Sequence, residues 1–259
     1  MNIVVCLKQA PDTEARIQVK DGAPGIVRDG VKFEISPYDE FALEAALRFK
    51  EKHGGTVTVL ALGPDRAKEA LRKGLSVGAD KAVLVSDAAL AGADGHGVAL
   101  ALSKALAKIG CDLVLVGKKA VGVDRGQVGT QIAQMMGLPF VSQVAVLESA
   151  DGKVARVERE IEGGREVLEM DLPGVIAIDK TSNELRHAGL KGIMAAKTKP
   201  IETLALSALG LSADDVKPCV VVRATAHPPQ RQAGRVIPGD AAQAAKELVR
   251  LLREEAKAI

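Results

Sequence analysis

Four short apolar runs recur in the first 116 residues, and a stretch with helical spacing separates each from the next. This alternation constrains the fold more than any other feature. The runs are Ile3–Leu7, Val57–Leu62, Lys81–Val85 and Asp112–Val116. Apart from Thr58 and the leading Lys81 and Asp112 they are continuously apolar instead of alternating, as strands covered on both faces are. Between them, Asp39–His53 carries Phe41, Leu43, Ala46, Leu47 and Phe49 among charges, opens at SPYDE and closes at Gly54-Gly55. That is an amphipathic helix with its start and stop signals. Further helices are predicted from Gly63-Pro64-Asp65 to about Val77, over Gly97–Ile109 and over Val128–Met136. Strands and helices alternating through short connections specify an α/β fold with a doubly wound, mainly parallel sheet. Ligands on such sheets bind at the carboxyl ends of the strands, near the point where the winding reverses.

The pattern changes after residue 150. Lys153–Glu162 and Arg165–Asp171 alternate around Gly163-Gly164, a hairpin signal. Gly174–Ile178 is one more apolar strand. From Asn183 the chain becomes irregular and basic, with a strand-like Cys219–Arg223, a Pro-Pro turn at 228–229 and a final amphipathic helix from about Asp240 to Ala256. The last seventy or so residues hold too few apolar runs for a core of their own, so the segment either folds back or wraps a partner.

Several function classes are excluded by composition. Among 259 residues the net charge is +2, so no strong field points to nucleic acid. Aromatic residues make up 2% of the chain, too few for base-stacking platforms. The three cysteines, Cys6, Cys111 and Cys219, each border an apolar run and read as thiols in a reducing compartment. His53, His96, His187 and His227 are scattered, with no metal-ligand spacing. No window approaches ~18 uninterrupted apolar residues, and the N-terminal run reads as a first strand and not a signal peptide. The expectation is a cytoplasmic protein without membrane insertion.

One loop stands out. Gly117–Pro139 reads GKKAVGVDRGQVGTQIAQMMGLP and joins a strand to a helix. Gly117, Gly126 and Gly129 let backbone approach a ligand, and the helix that begins at Val128 offers free N–H groups and a dipole to an anion. Asp124, Arg125 and Gln127 add polar contacts. The pattern is neither a Walker A loop nor GxGxxG, and spacing leaves two readings open, a bare turn or a phosphate cradle. SPYDE, with Ser36 or Asp39 as cap, reads locally as a simple helix start. Pro11-Asp12-Thr13 reads as a turn. Glu158, Glu160 and Glu162 are solvated or paired carboxylates of a hairpin and no evidence for acid–base chemistry without a cleft. HAGLKGIMAAK is either a surface helix or a docking segment with Leu190, Ile193 and Met194 as apolar anchors. There is no nucleophile triad, reactive-looking cysteine or metal cluster, so the residues read as an α/β nucleotide-binding candidate with a partner-wrapping tail and no visible catalytic machinery.

Taken together, VCLKQAPD, DGVKFEISPYDEFALEAALRFKEKHGG, ALGPDRAKEALRKGLSVGADKAV, DLVLVGKKAVGVDRGQVGTQIAQMMGLP and VEREIEGGREVLEMDLPGVIAIDKTSNELRHAGLKGIMAAKTKPIE resemble the β subunit of electron transfer flavoprotein, over nearly the whole chain. PPQRQAG followed by a helix is similar too. The resemblance implies a Rossmann-like, adenine-nucleotide-binding domain over residues 1–185. A recognition loop and an arm against an α subunit would follow over 186–259. It implies an electron-carrier subunit and not an enzyme, in a heterodimer whose FAD is held mainly by the α subunit, with a structural AMP in this chain. The donors would be acyl-CoA or related dehydrogenases of fatty acid oxidation. Electron transfer flavoprotein-quinone oxidoreductase would lead on to the respiratory chain. By position, the AMP site would comprise Cys6, Ser36, Pro37, Tyr38, Asp39, Leu62 and the loop Gly117, Lys118, Lys119, Ala120, Val121, Gly122, Val123, Asp124, Arg125, Gly126, Gln127 and Val128. The helix start Val128, Gly129 and Thr130 would receive the phosphate, Tyr38 would lie towards the flavin side, Glu160 would sit near the α subunit and Leu190 would anchor the recognition loop.

Two positions depart from the family pattern. Many relatives carry consecutive aspartates and an Asn before the loop Gln, where this chain has Gly122, Val123, Asp124, Arg125 and Gly126. Less acid and an added cation suit a second phosphate, so a second FAD in place of AMP, as in relatives that bifurcate electrons, is the alternative. Ala195 replaces one of the lysines common after Ile-Met. A stand-alone regulator resembling universal stress proteins is a third reading, and the hairpin and docking tail argue against it.

Overall fold

The computed structural model describes residues 1–20, 22–180, 183–230 and 233–259. Thr181, Ser182, Arg231 and Gln232, parts of two of the stretches quoted above, lie outside the described residues.

The chain opens with strand β1 (Asn2–Leu7), a two-stranded antiparallel ribbon of β2 (Gln9–Pro11) and β3 (Phe33–Ile35), and helix α1 (Pro37–His53). Strand β4 (Thr56–Leu62), helix α2 (Lys68–Ser76), strand β5 (Lys81–Val85), helix α3 (Gly95–Ile109), strand β6 (Leu113–Gly117) and helix α4 (Val128–Met136) follow. Strand β7 (Phe140–Ser149) leads into the hairpin β8 (Val154–Ile161) and β9 (Gly164–Asp171), and the chain returns through β10 (Gly174–Ile178). Helix α5 (Leu190–Thr198), the short strand β11 (Glu202–Leu204) and helix α6 (Ala241–Glu254) complete it.

One sheet of nine strands runs β11-β5-β4-β1-β6-β10-β7-β8-β9. Its first seven strands are parallel; β8 and β9 add antiparallel at one edge. After β1 the chain winds outward through β4 and β5, then crosses back through α3 to β6 on the other side of β1. The winding reverses between β1 and β6. Successive residues of β1 divide between two cores. Ile3, Val5 and Leu7 pack with Leu43 and Leu47 of α1 and Leu71 of α2, whereas Val4 and Cys6 pack with Leu102 and Leu106 of α3 and Ile132 of α4. Because β-strand side chains alternate faces, a strand covered on both must be apolar throughout, which is why the run carried no polar alternation.

Some elements differ from the sequence expectation. Strand β7 was not anticipated. It pairs parallel with β10 over one part and antiparallel with β8 over the rest, with a register shift at each junction and Gln143 at φ 59°. Two half-strands in different surroundings show no common period. Cys219–Arg223 is not a strand; it forms no ladder with any described strand. The stretch HAGLKGIMAAK is helical from Leu190. From α5 to Val216 the chain folds back onto the sheet: Ala196, Leu204, Leu206, Leu209 and Val216 are buried. Beyond Val216 no described residue is buried, and α6 keeps Leu248 and Val249 exposed.

Candidate functional site

The carboxyl ends of β1, β4 and β6 open onto a cavity of about 450 Å³ at the point of reversed winding. Cys6, Leu7, Leu62, Val116 and Gly117 form its floor. The loop between β6 and α4 forms one wall, and the turn before α3, with Leu90, Val98 and Leu102, forms the other. Val220 and Val222 close it from the C-terminal segment.

Asp39, in the first turn of α1, ties the floor together. Its Oδ1 accepts the Gly117 N–H at 3.0 Å and its Oδ2 accepts the Lys8 N–H at 2.8 Å, so one carboxylate spans the ends of β6 and β1. Burial pushes this carboxyl up to about 7, against the two backbone donors that favour its charged form. A Cβ on Gly117 would strike Asp39 Oδ1 and lie 2.8 Å from both the carbonyl carbon and the Cβ of Tyr38, so only glycine permits this approach. Burial, and then the Asp39 charge, push the Cys6 thiol far above its ordinary range, which leaves it protonated.

Ser36 is buried, and its hydroxyl accepts the Val121 N–H at 3.4 Å. Pro37 starts α1. The Lys118 and Lys119 ammonium groups stand 5.5 and 5.8 Å from the Tyr38 ring centroid. Lys118 pairs with Asp179 at 2.7 Å and Lys119 with Asp124 at 3.4 Å. The loop turns back where Val123 and Asp124 donate their N–H groups to Ala120 O at 3.2 and 2.9 Å, with Gly122, Asp124 and Gly126 in the left-handed region. Arg125 lines the cavity and has no ion-pair partner among the described residues.

Of the residues expected from sequence, Cys6, Asp39, Leu62, Gly117, Lys118, Lys119, Ala120, Val123, Arg125, Gly126, Gln127, Val128 and Gly129 line this one cavity. Ser36, Pro37, Tyr38, Val121, Gly122, Asp124 and Thr130 do not; several of them support those that do. Gly129 has a packing role as well. Its missing Cβ faces the strand: an added one would sit 2.7 Å from Val116 Cγ2 and 3.4 Å from the Phe140 ring. Gly129 therefore serves close packing of α4 on β6. The wall before α3 was missed. Its signal was present in AGADGHG, a second glycine-rich stretch between a strand and a helix.

The two helix N-termini at the cavity differ. Asp94 caps α3, with Oδ1 accepting from His96 N at 3.0 Å and Gly97 N at 3.1 Å. At α4 the N-cap residue Gln127 makes no side-chain capping bond, so the first N–H groups remain open to an anion. An uncapped helix end, an unpaired guanidinium and an apolar far wall form a donor set that fits a nucleotide, with phosphate at α4 and base against α3.

The anchors named from sequence fall elsewhere. Leu190, Ile193 and Met194 of α5 are 78%, 41% and 59% exposed. The helix is held from beneath by the Arg72 guanidinium, which donates to the carbonyl oxygens of Ala196 and Lys199. Arg186, just before it, donates to Glu44 Oε2 through its backbone N at 3.1 Å and its Nε at 3.0 Å. Glu160 lies on β8, near the opposite edge of the sheet, paired with Arg165 at 3.5 Å. No described helix is long and apolar enough to cross a membrane, and no described cluster of His, Cys, Asp or Glu could hold a metal ion.

A family model for the electron transfer flavoprotein domain matches residues 25–209. The chain belongs to the electron transfer flavoprotein family. It is 38% identical over 260 residues to the electron transfer flavoprotein subunit beta of Bacillus subtilis, all of both chains being covered. With the subunit of the same name from Thermoanaerobacterium thermosaccharolyticum it shares 40% identity, over 97% of this chain and 98% of the relative. Subunit CarD of the caffeyl-CoA reductase-Etf complex of Acetobacterium woodii is 39% identical over 98% of this chain and 99% of its own. The family gives the chain a part in electron transfer beside an α subunit.

Proposed function

We propose that this chain is the nucleotide-holding β subunit of an electron-carrying heterodimer. Its cavity takes AMP as a structural ligand, while FAD, bound mainly by the α subunit, carries the electrons. The observation that carries the nucleotide assignment is the uncapped N-terminus of α4 opening onto the cavity. A phosphate there gains the first backbone N–H groups and the positive end of the helix dipole. α3 offers no equivalent, because the Asp94 carboxylate already occupies its first turn. That asymmetry favours a single phosphate. Acyl-CoA or related dehydrogenases would donate through α5, whose three exposed apolar side chains form a compact anchor. Electron transfer flavoprotein-quinone oxidoreductase would accept, and a cytoplasmic setting suits the free thiols. When bound, FAD supplies the electron storage; the residues of this chain bind, orient and exclude water.

A second reading has one observation in its favour. Arg125 faces the cavity without an ion-pair partner among the described residues, while Lys118 and Lys119 are committed. A free guanidinium suits a diphosphate, so a second FAD in place of AMP, in an electron-bifurcating complex, is the alternative.

The test is to denature the purified heterodimer and identify its nucleotides by mass spectrometry. One AMP and one FAD per heterodimer support the first reading. Two FAD and no AMP establish the second. FAD without a further nucleotide in this chain overturns both.

A further inference from the structure

The segment Cys219–Val222 crosses the cavity without belonging to any strand. Val220 and Val222 line the cavity and are each 53% exposed, while Val221 between them is 73% exposed. Alternate side chains of this extended stretch thus face the cavity, which they cover from the solvent side. A single side chain fastens it. Asp94 Oδ2 accepts the Cys219 N–H at 2.7 Å and the Val220 N–H at 3.2 Å, while Oδ1 of the same carboxylate caps α3. Four backbone donors converge on one group and hold it well below the usual carboxylate range, the Gly97 N–H contributing most. The chain is also fitted to α3 just upstream: a Cβ on Gly97 would lie 2.9 Å from the Val216 carbonyl oxygen. No described residue beyond Val216 is buried, and past the strap the chain is next held at Thr225, whose N–H donates to the Ala23 carbonyl oxygen at 3.1 Å and whose Oγ1 accepts the Gly25 N–H at 2.9 Å.

We propose that Cys219–Val222 is the closing wall of the nucleotide cavity and that Asp94 is the positioning residue that clasps it there. The proposal rests on the nucleotide reading above. Val220 and Val222 complete an apolar slot with Leu90, Val98 and Leu102, which suits an aromatic base. A nucleotide then leaves only when the clasp opens, so the strap sets its residence time. It also links the cavity to the C-terminal arm that follows.

The test uses the purified heterodimer, with 1,N6-ethenoadenosine monophosphate as the fluorescent probe and excess AMP as the chase. Asp94→Asn keeps one acceptor for the α3 cap but turns an amide NH2 towards the two strap donors. The expected outcome is probe release on the order of tenfold faster, as the loss of charge-assisted hydrogen bonds implies. Hydrogen exchange at the Cys219 and Val220 amides should accelerate with it. Val222→Ser leaves the clasp intact and should speed probe release while those two amides keep their protection. Two results overturn the strap alone: release at the wild-type rate in Asp94→Asn despite deprotected amides, or unprotected amides in the wild-type complex. A wild-type complex whose strap amides are protected but which binds no probe overturns the adenylate reading beneath it, and the closing-wall role with it.

Discussion

The Gly117 backbone N–H donates to Asp39 Oδ1 at 3.0 Å, and there is no room for a side chain on Gly117 beneath that carboxylate. The same carboxylate reaches the Lys8 N–H, so the start of α1 joins the two strands that flank the reversal of winding. The cavity floor depends on a buried acid whose affinity for protons is raised to about 7.

The sign of the resulting pH dependence is fixed. The folded chain binds this proton more tightly than the unfolded chain, whose Asp titrates near the ordinary 3.8. Relative stability is therefore highest below the unfolded value and falls as pH rises from about 4 to about 7, by at most ~1.4 kcal/mol per pH unit. Asp39→Asn should remove that slope while costing roughly 1–3 kcal/mol at low pH for a misdirected buried amide. Urea unfolding of both proteins between pH 4.5 and 7.5 checks it; parallel profiles would show that Asp39 does not titrate in this window.

Gly129→Ala should destabilise the chain by about 1–3 kcal/mol, because the new methyl overlaps Val116 across the α4–β6 contact. The loss should persist in nucleotide-free protein, and Val116→Ala should restore part of it in the double mutant. Equal stability of Gly129→Ala and wild type would leave the close packing without consequence.

Arg125→Ala separates the two nucleotide readings. Backbone donors at α4 already serve a monophosphate, so AMP occupancy should be nearly unchanged. A diphosphate should lose roughly 1.5–3 kcal/mol of affinity with the guanidinium gone. Mass-spectrometric occupancy of the purified complex reads the difference.

Leu190→Ala should slow electron delivery from the dehydrogenase and leave folding and nucleotide content unchanged. The side chain is 78% exposed and contributes little to the core. An anchor of this kind is worth ~1–3 kcal/mol, roughly 5- to 150-fold in docking affinity. Steady-state kinetics with a rise in KM for the dehydrogenase would support the anchor, and an unchanged KM would refute it.

Arg186→Ala should cost about 3 kcal/mol of stability, because Glu44 is only 1% exposed and would keep Arg48 alone as its ionic partner. Thermal unfolding measures it. Glu44→Gln in the Arg186→Ala background should recover part of the loss, since the uncompensated charge is then gone.

The alternation of runs and helices was legible in the sequence because it is a local signal. Ile3–Leu7 had to be apolar throughout for a strand covered on both faces, and Val128–Met136 carried its own period. The loop Gly117–Val128 was legible as a cradle candidate for the same reason: glycines between a strand and a helix announce themselves along the chain. What the sequence could not decide lies between segments far apart. Asp39 looked like a helix cap until folding brought it, 78 residues away, to the Gly117 N–H. Gly129 was legible as a cavity residue, but its close packing on Val116 was not. Cys219–Arg223 looked like a strand because three β-branched valines run together in it, yet no described strand pairs with it, and Asp94 holds it across the cavity from 125 residues away. Local periodicity fixes which way side chains point along a segment. Only the packed fold decides which distant backbone donors a carboxylate meets, and in this chain those meetings at Asp39 and Asp94 make the cavity.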